Sequence, residues 1–203
     1  MKICGITNYK DAEAACRYGA DALGFVFAKS RRGIAPKKAK DIIMKLPPYV
    51  VTVGVFVNEK KGRVLKIARD CRLDLLQLHG DESSDYCKGL NKYYKIIKAV
   101  RIKGGDSLKG LGRYPADAFL LDSFVEGKSG GTGVRFDWSL AAKAKKSGKP
   151  VILAGGLDAG NVKSAIKKAR PYGVDASSRL EAAPGRKDHG LMKSFIEKAK
   201  DIK

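Results

Sequence analysis

Short apolar runs and amphipathic stretches alternate along the whole of this 203-residue chain. The apolar runs fall at residues 2–5, 22–27, 50–56, 73–78, 94–99, 118–121, 150–153 and 173–176. Each is short and rich in Val, Ile, Leu or Phe, as buried parallel strands are. Helical patterns fill the gaps at 10–18, 36–46, 62–71, 84–90, 139–146, 159–169 and 188–200. The slot at 104–111 is glycine-rich and predicts a short or distorted helix. Pro36 opens the second helix and Pro47-Pro48 stops it. Asp158 stands where it can cap the helix over 159–169, whose Val162, Ala165, Ile166 and Ala169 form a one-sided apolar stripe.

Strict alternation of strand and helix predicts a parallel sheet with helices outside it. Eight units with no break in composition predict one α/β domain over residues 1–203, a parallel eight-stranded (β/α)8 barrel of the TIM type. An open doubly wound sheet is the runner-up, but no G-x-G-x-x-G follows the first strand. Barrel chemistry sits at the C-terminal ends of the strands, and those ends carry the informative residues.

Strand one ends at Cys4, followed by Gly5 and the helix-capping pair Thr7-Asn8. Most cysteines are small buried hydrophobes, but this one stands at a strand-to-helix junction. A thiol acts as thiolate and needs a positive or dipolar neighbour. Lys2, on the same strand face, and the helix after Asn8 are the candidates to lower its pKa. Strand two opens into a basic loop holding Arg31, Arg32 and Gly33. Strand four ends at Gln77-Leu78-His79-Gly80, where His79 has two readings, a ligand contact or a loop-holding residue. Strand six closes an apolar run with Asp122, and a partly desolvated carboxyl suits a proton donor. A long loop over 124–134 follows, with Ser129-Gly130-Gly131-Thr132-Gly133. Gly155-Gly156 after strand seven and Ser177-Ser178 after strand eight lie where barrels bind phosphate, with the helix after Asp158 aiming N–H groups nearby. Ordinary turn chemistry is the plainer reading of those residues. Trp138 is expected to pack the sixth helix on the barrel, and His189 to lie on the surface.

Composition narrows the class. Hydrophobic residues make 44% and charged residues 31%, which is globular rather than disordered. No apolar run is long enough to span a bilayer, and the first residues lack a signal-peptide core, so a cytoplasmic protein without a membrane partner is expected. Cys4, Cys16, Cys71 and Cys87 have no C-x-x-C spacing and there are only two histidines, which argues against disulfides and a structural metal. The net charge of +20 is spread along the chain without interleaved aromatics. It reads as a lysine-rich surface that steers an anionic substrate, rather than as a nucleic-acid site.

These segments together resemble the phosphoribosylanthranilate isomerases of tryptophan biosynthesis. The likeness runs through Lys2-Ile3-Cys4-Gly5-Ile6-Thr7, residues 21–27, Gly54-Val55-Phe56-Val57-Asn58, Gln77-Leu78-His79-Gly80 and Leu120-Leu121-Asp122. It continues through Gly130-Gly131-Thr132-Gly133, Phe136-Asp137-Trp138, Ala154-Gly155-Gly156-Leu157, residues 174–178 and Pro184-Gly185-Arg186-Lys187-Asp188. The resemblance implies an Amadori rearrangement of an anionic sugar phosphate, with no metal or organic cofactor. It implies Asp122 as general acid and Cys4 as general base. Arg32 would pair with the anthranilate carboxylate, with His79 and Asp175 also on the substrate, while Gly155, Gly156, Ser177 and Ser178 hold the phosphate; Arg179, by its own charge rather than by the resemblance, is a further candidate contact to that phosphate. Another phosphate-binding barrel isomerase or lyase is the alternative, and a monomer or homodimer is expected. Two departures stand out. Arg179 occupies a position where the family favours glycine, costly if φ is positive. Gly33 replaces a larger residue, which predicts a looser substrate loop.

Overall fold

A computed structural model describes residues 1–123 and 137–201. The expected loop over 124–134, its Gly130-Gly131-Thr132-Gly133 run, and Arg135-Phe136 lie outside the described residues.

Eight parallel strands close into one barrel: β1 (Lys2–Cys4), β2 (Ala22–Val26), β3 (Val51–Phe56), β4 (Leu75–Leu78), β5 (Lys95–Ile102), β6 (Ala118–Ser123), β7 (Val151–Leu153) and β8 (Gly173–Ala176). The seam joins β1 to β8, with Lys2 opposite Asp175 and Ile3 opposite Ala176. Around it lie α1 (Tyr9–Tyr18), α2 (Pro36–Ile43), α3 (Lys61–Cys71), α4 (Ser84–Asn91), α5 (Ser139–Ala144), α6 (Val162–Ala169) and α7 (His189–Lys200). A short antiparallel pair, β9 (Glu181–Ala183) and β10 (Arg186–Lys187), links β8 to α7.

Period-two alternation decides what faces the interior. Ile3, Leu23, Phe25, Leu76, Leu78, Ile96, Phe119, Leu121, Val151 and Leu153 belong to the main core, with the buried faces of the helices. Val53, Ile97, Ala99, Ala118, Leu120 and Ala154 form a separate cluster within the ring. The same alternation carries Ala118 and Leu120 on to Asp122, and Leu75 on to Gln77, so polar side chains cap an apolar floor.

Several boundaries differ from the sequence pattern for local reasons. α2 stops at Ile43 rather than residue 46. Its last turn tightens, with Lys45 and Leu46 N–H groups donating to Ile42 and Ile43 carbonyls, because Pro47 disfavours α geometry at Leu46. The fifth slot forms two short 3₁₀ turns, Gly105–Leu108 and Leu111–Arg113, where glycines weaken an α-helix. β5 runs on to Ile102, because β6 continues beside it to Ser123. Asp158 does not cap α6. Its carboxylate accepts from Gly160 in a tight turn, and the helix begins only at Val162. Asn8, Ser83 and Asp188 do cap α1, α4 and α7 through their side chains.

His189 is not simply a surface residue. Its Nε2 lies 2.9 Å from Oδ1 of the buried Asp11. Trp138 is partly buried against the core at the start of α5. Among the described residues, no helix is long and apolar enough to cross a membrane.

Candidate active site

The C-terminal ends of the strands enclose a cavity of about 330 Å³. Cys4, Arg32, His79, Asp122, Gly155, Gly156, Asp175, Ser177, Ser178 and Arg179 all line it. These residues are drawn from β1, β2, β4, β6, β7, β8 and the loops after them, so only closure of the ring brings them together.

Cys4 is held at the mouth of β1 by two close approaches. Gly24 sits opposite it in the register, and a Cβ there would lie 2.7 Å from Sγ. Ser177 Oγ donates to the Cys4 carbonyl at 3.1 Å. Below the thiol, Lys2 Nζ donates to Asp175 Oδ1 at 2.7 Å, with both side chains buried. The expected lowering of the thiol's pKa does not follow. Burial pushes Cys4 above its ordinary value and Asp175 adds to this, while Lys2 and Lys187 pull the other way without prevailing. Desolvation outweighs two ammonium groups that carboxylates already engage.

Asp122 is buried at the end of β6. Its Oδ1 accepts from the Ser123 N–H at 2.9 Å, and its Oδ2 lies 3.2 Å from His79 Nε2. The other ring nitrogen, Nδ1, lies 2.8 Å from Gln77 Nε2. Gly155 adopts φ of +82°, and a Cβ there would lie 2.6 Å from the Ser123 nitrogen and 3.0 Å from Asp122 Oδ1. Only glycine fits between strand seven and this carboxyl.

Arg32 does not present a bare guanidinium. Nε and Nη2 fork onto both oxygens of Glu181 at 2.7 and 2.8 Å, and Lys187 Nζ shares Oε1 at 3.1 Å. The fork pre-orients the planar group, whose side chain remains 20% exposed towards the cavity. The loop that carries it is tight rather than loose. Gly33 N–H donates to the Ser30 carbonyl and Gly33 bridges to Val26. A Cβ at Gly33 would meet the Ala28 and Ser30 carbonyl oxygens at 3.0 Å, so glycine permits this closure.

The loops after β7 and β8 differ from expectation in two ways. α6 begins only at Val162, and the N–H groups of Asn161 and Val162 at its start donate to the Asp158 carbonyl. Asn161 instead pins the turn, its amide donating to the Gly156 carbonyl at 2.9 Å. Arg179 lies in a short 3₁₀ turn, Ser178–Leu180, and is not among the residues with positive φ. It therefore carries no left-handed strain.

The family model for N-(5'-phosphoribosyl)anthranilate isomerase matches residues 1–198. The chain belongs to this family. An N-(5'-phosphoribosyl)anthranilate isomerase of Moorella thermoacetica is 50% identical over 198 residues, covering 97% of this chain and 87% of that one. The crystal structure of phosphoribosyl anthranilate isomerase from Thermotoga maritima superposes with a TM-score of 0.93 at 42% identity, covering 99% and 98% of the two chains. A phosphoribosyl anthranilate isomerase in complex with reduced 1-(o-carboxyphenylamino)-1-deoxyribulose 5-phosphate superposes at 0.90, again at 42% identity and with coverage of 99% and 98%.

Three residues at or beside this cavity received no site role from the sequence. Gln77 was legible, since it stands two positions before His79 on one strand face. Glu181 and Lys187 were not. They reach the site through the β9–β10 pair, which has no clear periodic signal.

Proposed function

We propose that Cys4 and Asp122 carry the Amadori rearrangement that membership of the isomerase family assigns to this chain in tryptophan biosynthesis. The substrate is N-(5'-phosphoribosyl)anthranilate and the product 1-(2-carboxyphenylamino)-1-deoxyribulose 5-phosphate. The observation that carries the assignment is a thiol and a carboxyl in one cavity, ringed by an oriented guanidinium and two small-residue loops.

Asp122 gives its proton to the ribose ring oxygen as the C1–O bond breaks, leaving a Schiff base at C1. Cys4, as thiolate, takes the C2 proton, and the electron pair moves to the imine to give an enolamine. Tautomerisation then gives the ketone, so no redox partner or organic cofactor enters the balance. Gly155, Gly156, Ser177, Ser178 and Arg179 receive the phosphate, where glycine lets backbone approach closely and Arg179 adds positive charge. Arg32, fixed by Glu181, faces the anthranilate carboxylate. His79 and Asp175 line the wall between them.

The 203 residues act as one catalytic domain in the cytoplasm, as a monomer or homodimer, with no nucleic-acid or membrane partner. The diffuse positive charge favours an anionic substrate over a defined nucleic-acid stripe. Freshly prepared substrate, followed by loss of its fluorescence, tests the assignment. The wild-type protein turns over, and Cys4→Ala and Asp122→Ala each lose about 10²–10⁴-fold in kcat, the usual share of acid–base catalysis. Full turnover by either variant refutes its role.

A further inference from the structure

Gln77 is not used by the reaction as described, yet it is 1% exposed and lines the cavity. Its amide nitrogen lies 2.8 Å from His79 Nδ1, and its Oε1 has no hydrogen-bond partner among the described residues. Among the described residues the Gln77 amide is thus held through its nitrogen alone. An amide nitrogen can only donate, so Nδ1 accepts. A neutral imidazole that accepts at Nδ1 carries its proton on Nε2. Nε2 is the atom that faces Asp122 Oδ2 at 3.2 Å.

We infer that Gln77 is a positioning residue that locks His79 in the Nε2–H tautomer, so that the ring donates to Asp122 and cannot take its proton. The inference rests on Asp122 as the acid. In the other tautomer Nε2 would present a lone pair to the carboxyl. The acidic proton would then lie towards the ring instead of the substrate's ring oxygen. With Nε2–H donating to Oδ2 and Ser123 N–H donating to Oδ1, the plane of the carboxyl is also fixed. Gln77 thus acts on the reaction through two side chains and touches neither reacting proton.

The chain has only two histidines, which makes the tautomer directly readable. Protein labelled with ¹⁵N-histidine gives ring signals from His79 and His189 alone, and a His189→Asn variant assigns them. In the wild type His79 is expected as the neutral Nε2–H tautomer. Gln77→Glu offers an acceptor of the same shape to Nδ1 and is expected to move the proton there. Its kcat should fall about a hundredfold, at the low end of acid–base contributions, with KM changed less than kcat because the side chain keeps its size and shape. Gln77→Met, which offers neither donor nor charge, should give a tautomer mixture and an intermediate kcat. A wild-type His79 found as Nδ1–H or as imidazolium overturns the inference. So does an unchanged kcat in a folded Gln77→Glu whose tautomer has switched. Full kcat in Asp122→Ala would instead refute the acid assignment itself, while the ring signals would still report the tautomer.

Discussion

Gly24→Ala isolates the placement of the thiol from every other property of the site. Gly24 lies within β2, outside the left-handed region, so alanine costs nothing in φ. The added Cβ would sit 2.7 Å from Cys4 Sγ and 3.2 Å from Cys4 Cα and Cβ. Ordinary contact starts at 3.4 Å. The sulfur must therefore retreat by about 0.7 Å, and displacements on the order of 1 Å cost up to about 10²-fold in rate. A loss of roughly tenfold or more in kcat is expected. Strain against the β1 backbone adds an overpacking cost of about 1–3 kcal/mol in stability. The fluorescence assay reads the first effect and the midpoint of urea unfolding reads the second. A cycle with Cys4→Ala separates local strain from a general loss of fit, since removing Sγ should recover about 0.5 kcal/mol or more of the penalty. A folded Gly24→Ala protein with wild-type kcat would mean that the thiol's position is immaterial, and the base assignment would fall with it.

Three further outcomes follow from the geometry. Because burial holds the Cys4 thiol above its ordinary value, kcat/KM should climb with pH as thiolate forms above the ordinary thiol range. Lys2→Met removes the ammonium and leaves Asp175 facing the sulfur, so the climb should move further up, and a profile flat through that range in both proteins counts against Cys4. Glu181→Gln replaces a forked charged partner of Arg32 with a neutral amide. KM should rise roughly tenfold with kcat little changed, the scale of one weakened charge-assisted bond, and an unchanged KM would show that the fork does not orient the guanidinium. Burial raises the Tyr86 phenol from 10.0 to about 12, and its hydroxyl donates to the Glu59 carbonyl at 2.6 Å. The folded state therefore favours the neutral phenol. Its contribution is complete below pH 10 and is lost as pH rises towards about 12. Tyr86→Phe should lose less stability across that window than the wild type, measured by urea midpoints at its two ends.

The period of the apolar residues determined that this chain alternates strand and helix, and with it the ring of eight strands. The short motifs at the strand ends determined which residues to examine, because a strand end marks a place in a barrel whatever the loops do. Boundaries were less legible, as at α6, where Asp158 serves a turn and the helix starts at Val162. A capping residue and a turn residue use the same carboxylate chemistry, and sequence does not separate them.

The electrostatics needed the folded chain. Lys2 beside Cys4 suggested a lowered thiol, but the closing seam sets Asp175 against Lys2 and buries all three. Arg32 offered a free cation until β9–β10 brought Glu181 to it across 149 positions of sequence. Gly33 suggested a loose loop, whereas its missing Cβ lets the loop close on Ser30 and Val26. Periodicity and turn chemistry are local and can be read along the chain. Desolvation and charge pairing depend on distances between segments far apart in it, and only tertiary packing sets those distances.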